Sequence, residues 1–558
     1  MSPLSHISRA VGSGWLLLVP LGLLLQPHGV VGQTRDLTRA PVAFEVFAGG
    51  EFDPYLRTLQ NRGIVRPYPW SARAFSVPEV RGLAVPDSLH PWAQRYSFAR
   101  ASDSPYEYGW IRPRLDAIFN SAFPFGGNDG PLWVGRGFTS AIRFGGFLRY
   151  GRVSLVIAPV AFRAENRAFE LAPTGVGGGG QYRNPLTPTT ADIPQRFGAE
   201  TYQRLDPGNS TLRLDVVGAT VAISTAAQQW GPSQIHPLVL GPNAGGFSHA
   251  FVGTTRPVDL WIGQGHARIV AGRLEPSAYT PQRVGQDPRH LMTGLVAIFL
   301  PRGLSGLELG ITRFSHTEWP DRRIRLDDLL KPFETIIGER THDDDREFPD
   351  NELASAFFRW NVPDAGFEIF GEWVRIDGAW DTRTFLMEPD DLAGYALGMR
   401  RVWEDRAPEP RLTVFRGEVF STLSSHRERG GARPQLAFRA RPMYQHSRLV
   451  QGHTHRGQLL ASPAGHGGQG STLAIDRYHP GGRWTLEWER RLERDRTVRP
   501  PVDEPADTDV TYALGFEMVR FTGSVDLEFG IRGVYNLNRY LQDDAFNLNL
   551  RVGASASF

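Results

Sequence analysis

From Phe546 to Phe558 the chain alternates without a break. Phe546, Leu548, Leu550, Val552, Ala554, Ala556 and Phe558 are separated by Asn547, Asn549, Arg551, Gly553, Ser555 and Ser557. Successive side chains of an extended strand point to opposite faces, so a strict period of two makes one face apolar and the other polar. The same pattern runs through Tyr512–Met518, Val525–Arg532, Trp484–Glu489 and Leu307–Thr312. In these segments the polar face is repeatedly charged, with Glu308, Glu487, Glu489, Asp526, Glu528 and Arg532 on it. Two architectures accommodate such strands: a soluble β-sandwich with a solvated outer face, or a membrane barrel whose polar face lines a lumen. A charged face cannot point at lipid, where each charge costs about 2–4 kcal/mol at the midplane.

The ends of the chain separate the two. Arg9 precedes an apolar run from Trp15 to Leu25, broken only by Pro20 and Gly22, and the small residues Val30, Val31 and Gly32 follow. A basic start, a short hydrophobic run and a small-residue exit describe a secretory signal over residues 1–32, with cleavage expected near Gly32–Gln33. The run falls short of the ~20 residues of a transmembrane helix, which disfavours an uncleaved anchor. No cysteine is present, which excludes a lipid-anchored N-terminus. At the other end, a last strand closing on the aromatic Phe558 resembles bacterial outer-membrane barrels, in which that residue is an assembly signal read by the barrel assembly machinery.

Composition supports export to a membrane through strands. Mean hydropathy is −0.30, and the chain has no second long apolar run. A barrel tolerates this because only the outward half of each strand must be apolar. Without cysteine, stability rests on hydrogen bonds and packing. Of 61 basic residues only Lys331 is lysine, a bias read as genomic base composition. The formal charge of +2 argues against nucleic acid as a partner, which favours a strongly basic surface.

Parity assigns the two ends of the barrel. With the last strand ending on the periplasmic side, Phe521–Ser524 and His479–Gly482 are short periplasmic turns, whereas Asn536–Asp544, Arg494–Asp509 and Val450–Gly470 fall outside. Between Glu51 and Phe98 the spacing is helical. Asp53 and Pro54 start a helix ended by Gly63, Ser76 and Glu79 form a capping box, and Pro91–Tyr96 is a candidate third helix. The expected organisation is a signal segment (1–32), a periplasmic helical region (33–104) below the membrane, and an all-β transmembrane barrel (105–558). At roughly 25 residues per strand and loop, the barrel holds about 18 antiparallel strands, an even number as in bacterial barrels.

Several segments, in order, resemble the Wzi family of capsule-assembly outer-membrane proteins. They are Leu56-Arg57-Thr58-Leu59-Gln60, Pro69-Trp70-Ser71, Phe75-Ser76, Trp230-Gly231-Pro232 with Leu238, Leu240 and Asn243-Ala244, Gly272-Arg273-Leu274-Glu275, Asn351-Glu352-Leu353-Ala354, Glu372-Trp373, Glu388-Pro389-Asp390, and Gln451-Gly452-His453-Thr454-His455-Arg456-Gly457. The resemblance spans about Phe44 to the end. It implies an eighteen-stranded barrel with a periplasmic helical bundle, in the outer membrane of a Gram-negative-type bacterium. It also implies a lectin-like, non-catalytic role in holding capsular polysaccharide. The chain departs from the family at its end, a strand where the capsule-retaining member has a helix.

Candidate polysaccharide contacts are Trp230, whose ring suits the apolar face of a pyranose, and Asn243, Gln451, Thr454, His455 and Arg456, whose donors and acceptors suit sugar hydroxyls. An interfacial role for Trp230 is the competing reading. No catalytic residue, metal ligand or cofactor is expected. His453, His455, His466 and His479 lack a ligand pattern. His342-Asp343-Asp344-Asp345 lacks the spaced oxygens of a calcium loop. Ser424-Ser425-His426 has no acidic third member or serine elbow. Gly177–Gly180 has no following helix to make a phosphate loop. Two functions remain open: a surface-polysaccharide binding or anchoring barrel, with outer-membrane lipid and lipopolysaccharide around it, and a channel for small solutes.

Overall fold

The computed structural model describes residues 40–556 apart from 84, 86–88, 99–103, 105, 283–284, 286, 334–349, 377–381, 388, 391, 406, 424–442, 447–448, 466 and 496–507. The signal segment, Phe558, His466, the run His342–Asp345 and Ser424–His426 lie outside the described residues. Eighteen antiparallel strands close into one barrel. They are β1 (Tyr106–Asn120), β2 (Gly137–Tyr150), β3 (Val153–Ile157 with Val160–Ala164), β4 (Tyr202–Asp206 with Thr211–Val216), β5 (Ala219–Ser224) and β6 (Ser248–Thr254 with Val258–Leu260). Next come β7 (Gly263–Leu274), β8 (His290–Pro301), β9 (Leu307–Glu318), β10 (Asp350–Val362), β11 (Phe367–Ile376) and β12 (Ala393–Glu404). The circuit ends with β13 (Leu412–Ser421), β14 (Gln469–His479), β15 (Gly482–Asp495), β16 (Thr508–Thr522), β17 (Val525–Leu537) and β18 (Ala545–Ala556). β18 pairs with β1, Leu550 opposite Phe119, so no sheet edge is left along that seam.

The alternation sets the two faces as expected. Leu527, Phe529 and Ile531 of β17 are exposed on the outside. Between them, Glu528 accepts from Arg114 (2.6 Å), and Arg532 pairs with Glu487 (2.7 Å) inside. An apolar outer band on a closed barrel, which satisfies every ladder hydrogen bond, is the geometry that crosses a bilayer with strands. Short turns, such as 151–152, 217–218, 480–481 and 523–524, all lie at one end. The long connections 165–201, 225–247 and 443–465 lie at the other. In bacterial barrels these ends are periplasmic and extracellular.

The N-terminal region departs from expectation. It does not sit below the barrel but inside it. Helix α1 (Phe52–Asn61) is buried on nearly every side. Arg57 donates through Nε (2.9 Å) and Nη2 (2.6 Å) to Glu368 of β11. Asn61 donates to the other oxygen of the same carboxylate (2.6 Å), as does Arg359 of β10 (2.8 Å). Glu308 of β9 accepts from the backbone N–H groups of Trp70 (2.9 Å) and Ser71 (2.8 Å). The reason is size. An eight-stranded barrel fills with its own side chains, whereas one of eighteen leaves a channel that other chain must occupy if it is to be dry. Helix α2 (Val77–Gly82) carries the anticipated Ser76/Glu79 capping box. Pro91–Tyr96 forms turns, not a helix.

Loop 225–247 enters from the opposite end and meets this plug. Gln229 and Trp230 pair antiparallel with Arg73 and Ala72, and Arg57 Nη1 donates to the Pro232 carbonyl (2.8 Å). The described lumen is therefore blocked by a short ribbon made of one strand from each side.

Replacing Leu527 or Phe529 with Arg should cost about 2–4 kcal/mol if the site is near the midplane, measured by urea unfolding from vesicles; Glu528→Gln should cost less. Arg57→Ala, which leaves the buried Glu368 short of a cation, should destabilise the plugged state by about 3–5 kcal/mol. That loss is read as faster proteolysis of residues 40–98 in the assembled barrel.

Candidate functional site

Three extracellular loops interlock above the plug. Asp192 of loop 165–201 accepts from Ser277 N (2.6 Å) and Ser277 Oγ (2.5 Å) of loop 275–289. Arg183 donates to the carbonyls of Tyr279 (3.0 Å) and Thr280 (3.3 Å). The backbone N–H of Asp192 reaches Gln451 O (2.9 Å) in loop 443–465. Burial pushes the Asp192 carboxyl up to about 6, against the opposing pull of the Ser277 hydrogen bonds.

Two of these loops, 275–289 and 443–465, line a cavity of about 210 Å³ whose wall includes Thr280, Pro281, Gln282, Asp287, His290 and Gln451. That is room for several waters. Thr280 and Gln451 line it; their Oγ1 and Oε1 atoms are themselves buried and have no hydrogen-bond partner among the described residues. Asp287 adds a carboxylate held by Arg289 (2.5 Å), and Gln282 adds an amide. The wall combines flat proline surfaces with convergent acceptors and donors.

The residues expected to touch sugar are placed differently. Trp230 is fully buried. Its ring packs edge-to-face with Phe314, centroids 6.3 Å apart, over Gly294, where an added Cβ would meet the indole at 2.5 Å. Asn243 is half-buried, accepting from Asn128 N (3.2 Å) and donating to Leu459 O (2.9 Å). Thr454 bonds Gln451 O (3.0 Å). His455 Nδ1 accepts from Glu275 N (3.1 Å), and Arg456 pairs with Asp206 (2.9 Å). These five hold the inward loops together and offer no ring face to solvent. Of the six, Gln451 alone lines the cavity, its Nε2 tied to Glu275 O (3.1 Å) and Thr454 O (3.0 Å). Thr280, Gln282, Asp287 and His290 escaped the sequence reading. Their only local signal is the density of prolines, Pro276, Pro281 and Pro288, in one loop.

Two buried histidines fasten the inward loops. His453 Nε2 donates to Val239 O (2.6 Å) while its ring stacks on Tyr444. His236 lies between Ser462 (3.2 Å) and Thr472 (3.0 Å). Burial lowers both to about 4 from an ordinary 6.5. Among the described residues no group of three or more His, Cys, Asp or Glu is arranged to hold a metal.

No protein-family model matches the chain, and no curated protein matches it significantly. Solved structures do. Wzi of Escherichia coli, described as an outer-membrane protein involved in group 1 capsule assembly and a carbohydrate-binding β-barrel, superposes with a TM-score of 0.58 at 13% identity. The match covers 92% of this chain and 99% of that one. OccAB2 of Acinetobacter baumannii gives 0.38 at 10% identity over 80% and 98% of the two chains. A BenF-like porin of Pseudomonas fluorescens gives 0.37 at 9% over 81% and 99%. At these identities the first match shows a shared fold: the expected resemblance holds for the barrel architecture, and the protein is an outer-membrane β-barrel of the Gram-negative type.

Because His236 and His453 are held below their unfolded value, their contribution to stability is complete above about pH 6.5 and is lost as pH falls toward about 4. Protonating His453 would add a buried Nδ1–H with no acceptor among the described residues. Cleavage of loops 225–247 and 443–465 by an acid-active protease should therefore rise as pH is lowered through that window. His453→Gln should flatten the rise.

Proposed function

We propose that this barrel binds a surface polysaccharide at its extracellular mouth, as an anchor or assembly factor and without catalysis. The observation that carries the reading is the cavity between loops 275–289 and 443–465, lined by the polar residues Thr280, Gln282, Asp287, His290 and Gln451. It sits above a lumen packed from both ends. A channel needs a wet path, whereas here Arg57, Trp70 and Trp230 are fully buried along the axis. The carbohydrate-binding description of the Escherichia coli structure supports the same reading by analogy of fold.

Trp230, Asn243, Thr454, His455 and Arg456 act beneath this site as its framework, and Gln451 acts within it. One cavity of this size grips a single sugar weakly, so retention depends on a repetitive chain engaging many copies of the barrel.

A deletion strain should release polysaccharide that the parent keeps on the cell. Complementation with Thr280→Ala/Gln451→Ala should restore the barrel in the membrane but only part of the attachment. Unchanged attachment in the deletion strain overturns the role; full rescue by the double variant overturns the cavity as its site. In planar bilayers the purified protein should show no steady conductance, and reproducible large channels would favour the solute-channel function instead.

A further inference from the structure

The outer wall of the barrel is not apolar all the way round. On β9 the outward positions after Leu309 and Ile311 are Arg313 and Ser315; on β10 Glu352 faces out, and on β11 Arg375 does. These four side chains are nevertheless buried, as are Leu291 and Thr293 on the outer face of β8. Arg313 pairs with Glu352 at 2.9 Å with both side chains 5% exposed. Arg313 is six positions from Leu307 (313 − 307). At the usual strand rise and tilt that is about 15 Å of height within an apolar band ~25 Å tall. An ion pair facing acyl chains there would be costly.

The described parts of two extracellular connections, 319–333 and 382–387, cover it on the outside of the wall. Arg313 donates to Pro332 O (3.4 Å), within the segment formed by the short helices Leu326–Leu330 and Lys331–Phe333. In the second connection, the helix Thr382–Met387 lays Phe385 against the outward Trp373 (5.8 Å) and under the Arg375 guanidinium (5.9 Å). Having covered the polar wall, these flaps present their own surface. Ile324, Leu326 (67%), Leu330, Phe333, Leu386 (72%) and Met387 are exposed. A cluster of large apolar side chains this exposed marks an interaction surface, and it continues the lipid-facing band of Ile311, Phe358, Trp360 and Ile369. Exposed arginines alternate with it: Arg322, Arg323 and Arg325 flank Ile324, and Arg383 precedes Phe385.

We infer that the flaps 319–333 and 382–387 form an outer-leaflet lipid site whose occupant is lipopolysaccharide. Leu326, Leu330, Leu386 and Met387 lie among its acyl chains, while Arg323, Arg325 and Arg383 meet its phosphates. Guanidinium groups suit phosphate because they offer paired donors in a fixed plane. Phosphorylated glycolipid is what the outer leaflet of such a membrane supplies at this height. The inference is independent of the polysaccharide cavity, which lies at the mouth and not on the wall.

The absence of cysteine makes single-cysteine probes unambiguous. Full-length Leu326→Cys and Leu386→Cys proteins, each carrying an environment-sensitive fluorophore, would be placed in vesicles of lipopolysaccharide and acyl-brominated phospholipid. Quenching by the brominated chains with little quenching by aqueous iodide is expected; the reverse overturns the membrane placement. In detergent, purified lipopolysaccharide would be titrated into the wild-type protein and into Arg323→Glu/Arg325→Glu, whose folding is checked by heat-modifiable migration. Roughly tenfold weaker binding by the variant is expected. Equal affinity, or equal binding of phosphatidylglycerol by the wild type, overturns the lipopolysaccharide assignment. If the charge reversal fails to fold, Arg323→Gln/Arg325→Gln is read by the same criteria.

Discussion

One carboxylate organises the interior. Glu368 gathers Arg57 and Asn61 from the plug helix and Arg359 from the neighbouring strand, all within 2.9 Å. Charges this deep gain little net free energy, because desolvation offsets most of their attraction. Their effect is on which arrangement is possible. With the helix withdrawn, Arg359 would still pair with Glu368 and Glu308 on the wall, but Glu368 would lose Arg57 and Asn61; with it shifted by a residue, Arg57 would miss the one oxygen to which it now donates twice. The knot thus selects one depth and one rotation for α1. Everything further along the axis depends on that seat, including the ribbon between Ala72–Arg73 and Gln229–Trp230.

From that ribbon the dependence runs outward. Glu418 of β13 accepts from Ser233 Oγ (2.7 Å) and from the N–H groups of Gln234 and Ile235 (2.9 Å each), so the wall holds the tip of the inward loop as well. Tyr444 donates to Leu238 O (2.7 Å) and Asn243 to Leu459 O (2.9 Å), which carries the order into loop 443–465. Gln451 is fixed at the end of this sequence of contacts. The cavity that Gln451 lines is therefore positioned by groups that begin at the plug, and is a property of the filled lumen, not of the loops alone.

The strands and their faces were legible from alternation, because period two is a local consequence of the pleat. So was the Ser76/Glu79 cap. What filled the lumen was not legible, since a charged inner face suits water or a polar plug equally well. Trp230-Gly231-Pro232 illustrates the limit. A tryptophan beside a tight turn reads as a stacking platform or an interfacial anchor, and only the facing strand says otherwise. Gly294 leaves the space the indole occupies, and Glu372 crowds Gly231, whose φ of +90° a side chain would strain. Those complements lie about 60 and 140 residues away in sequence, beyond any local pattern.

The outer flaps were legible in principle, as violations. Ile311-Thr312-Arg313-Phe314-Ser315 keeps the period of two, yet puts a cation on the lipid side. An alternation that places Arg313, Glu352 and Arg375 outward on three consecutive strands states either that the register is wrong or that something covers that sector. The pairing register is regular there, Arg313 opposite Ala354 and Ser315 opposite Glu352, so the second alternative holds. The same rule then governs both sides of this wall. Polar groups facing inward are met by a plug, polar groups facing outward by flaps, and each cover hands its own outer surface to the next medium. Inside, that medium is the polar cavity under the mouth; outside, it is lipid.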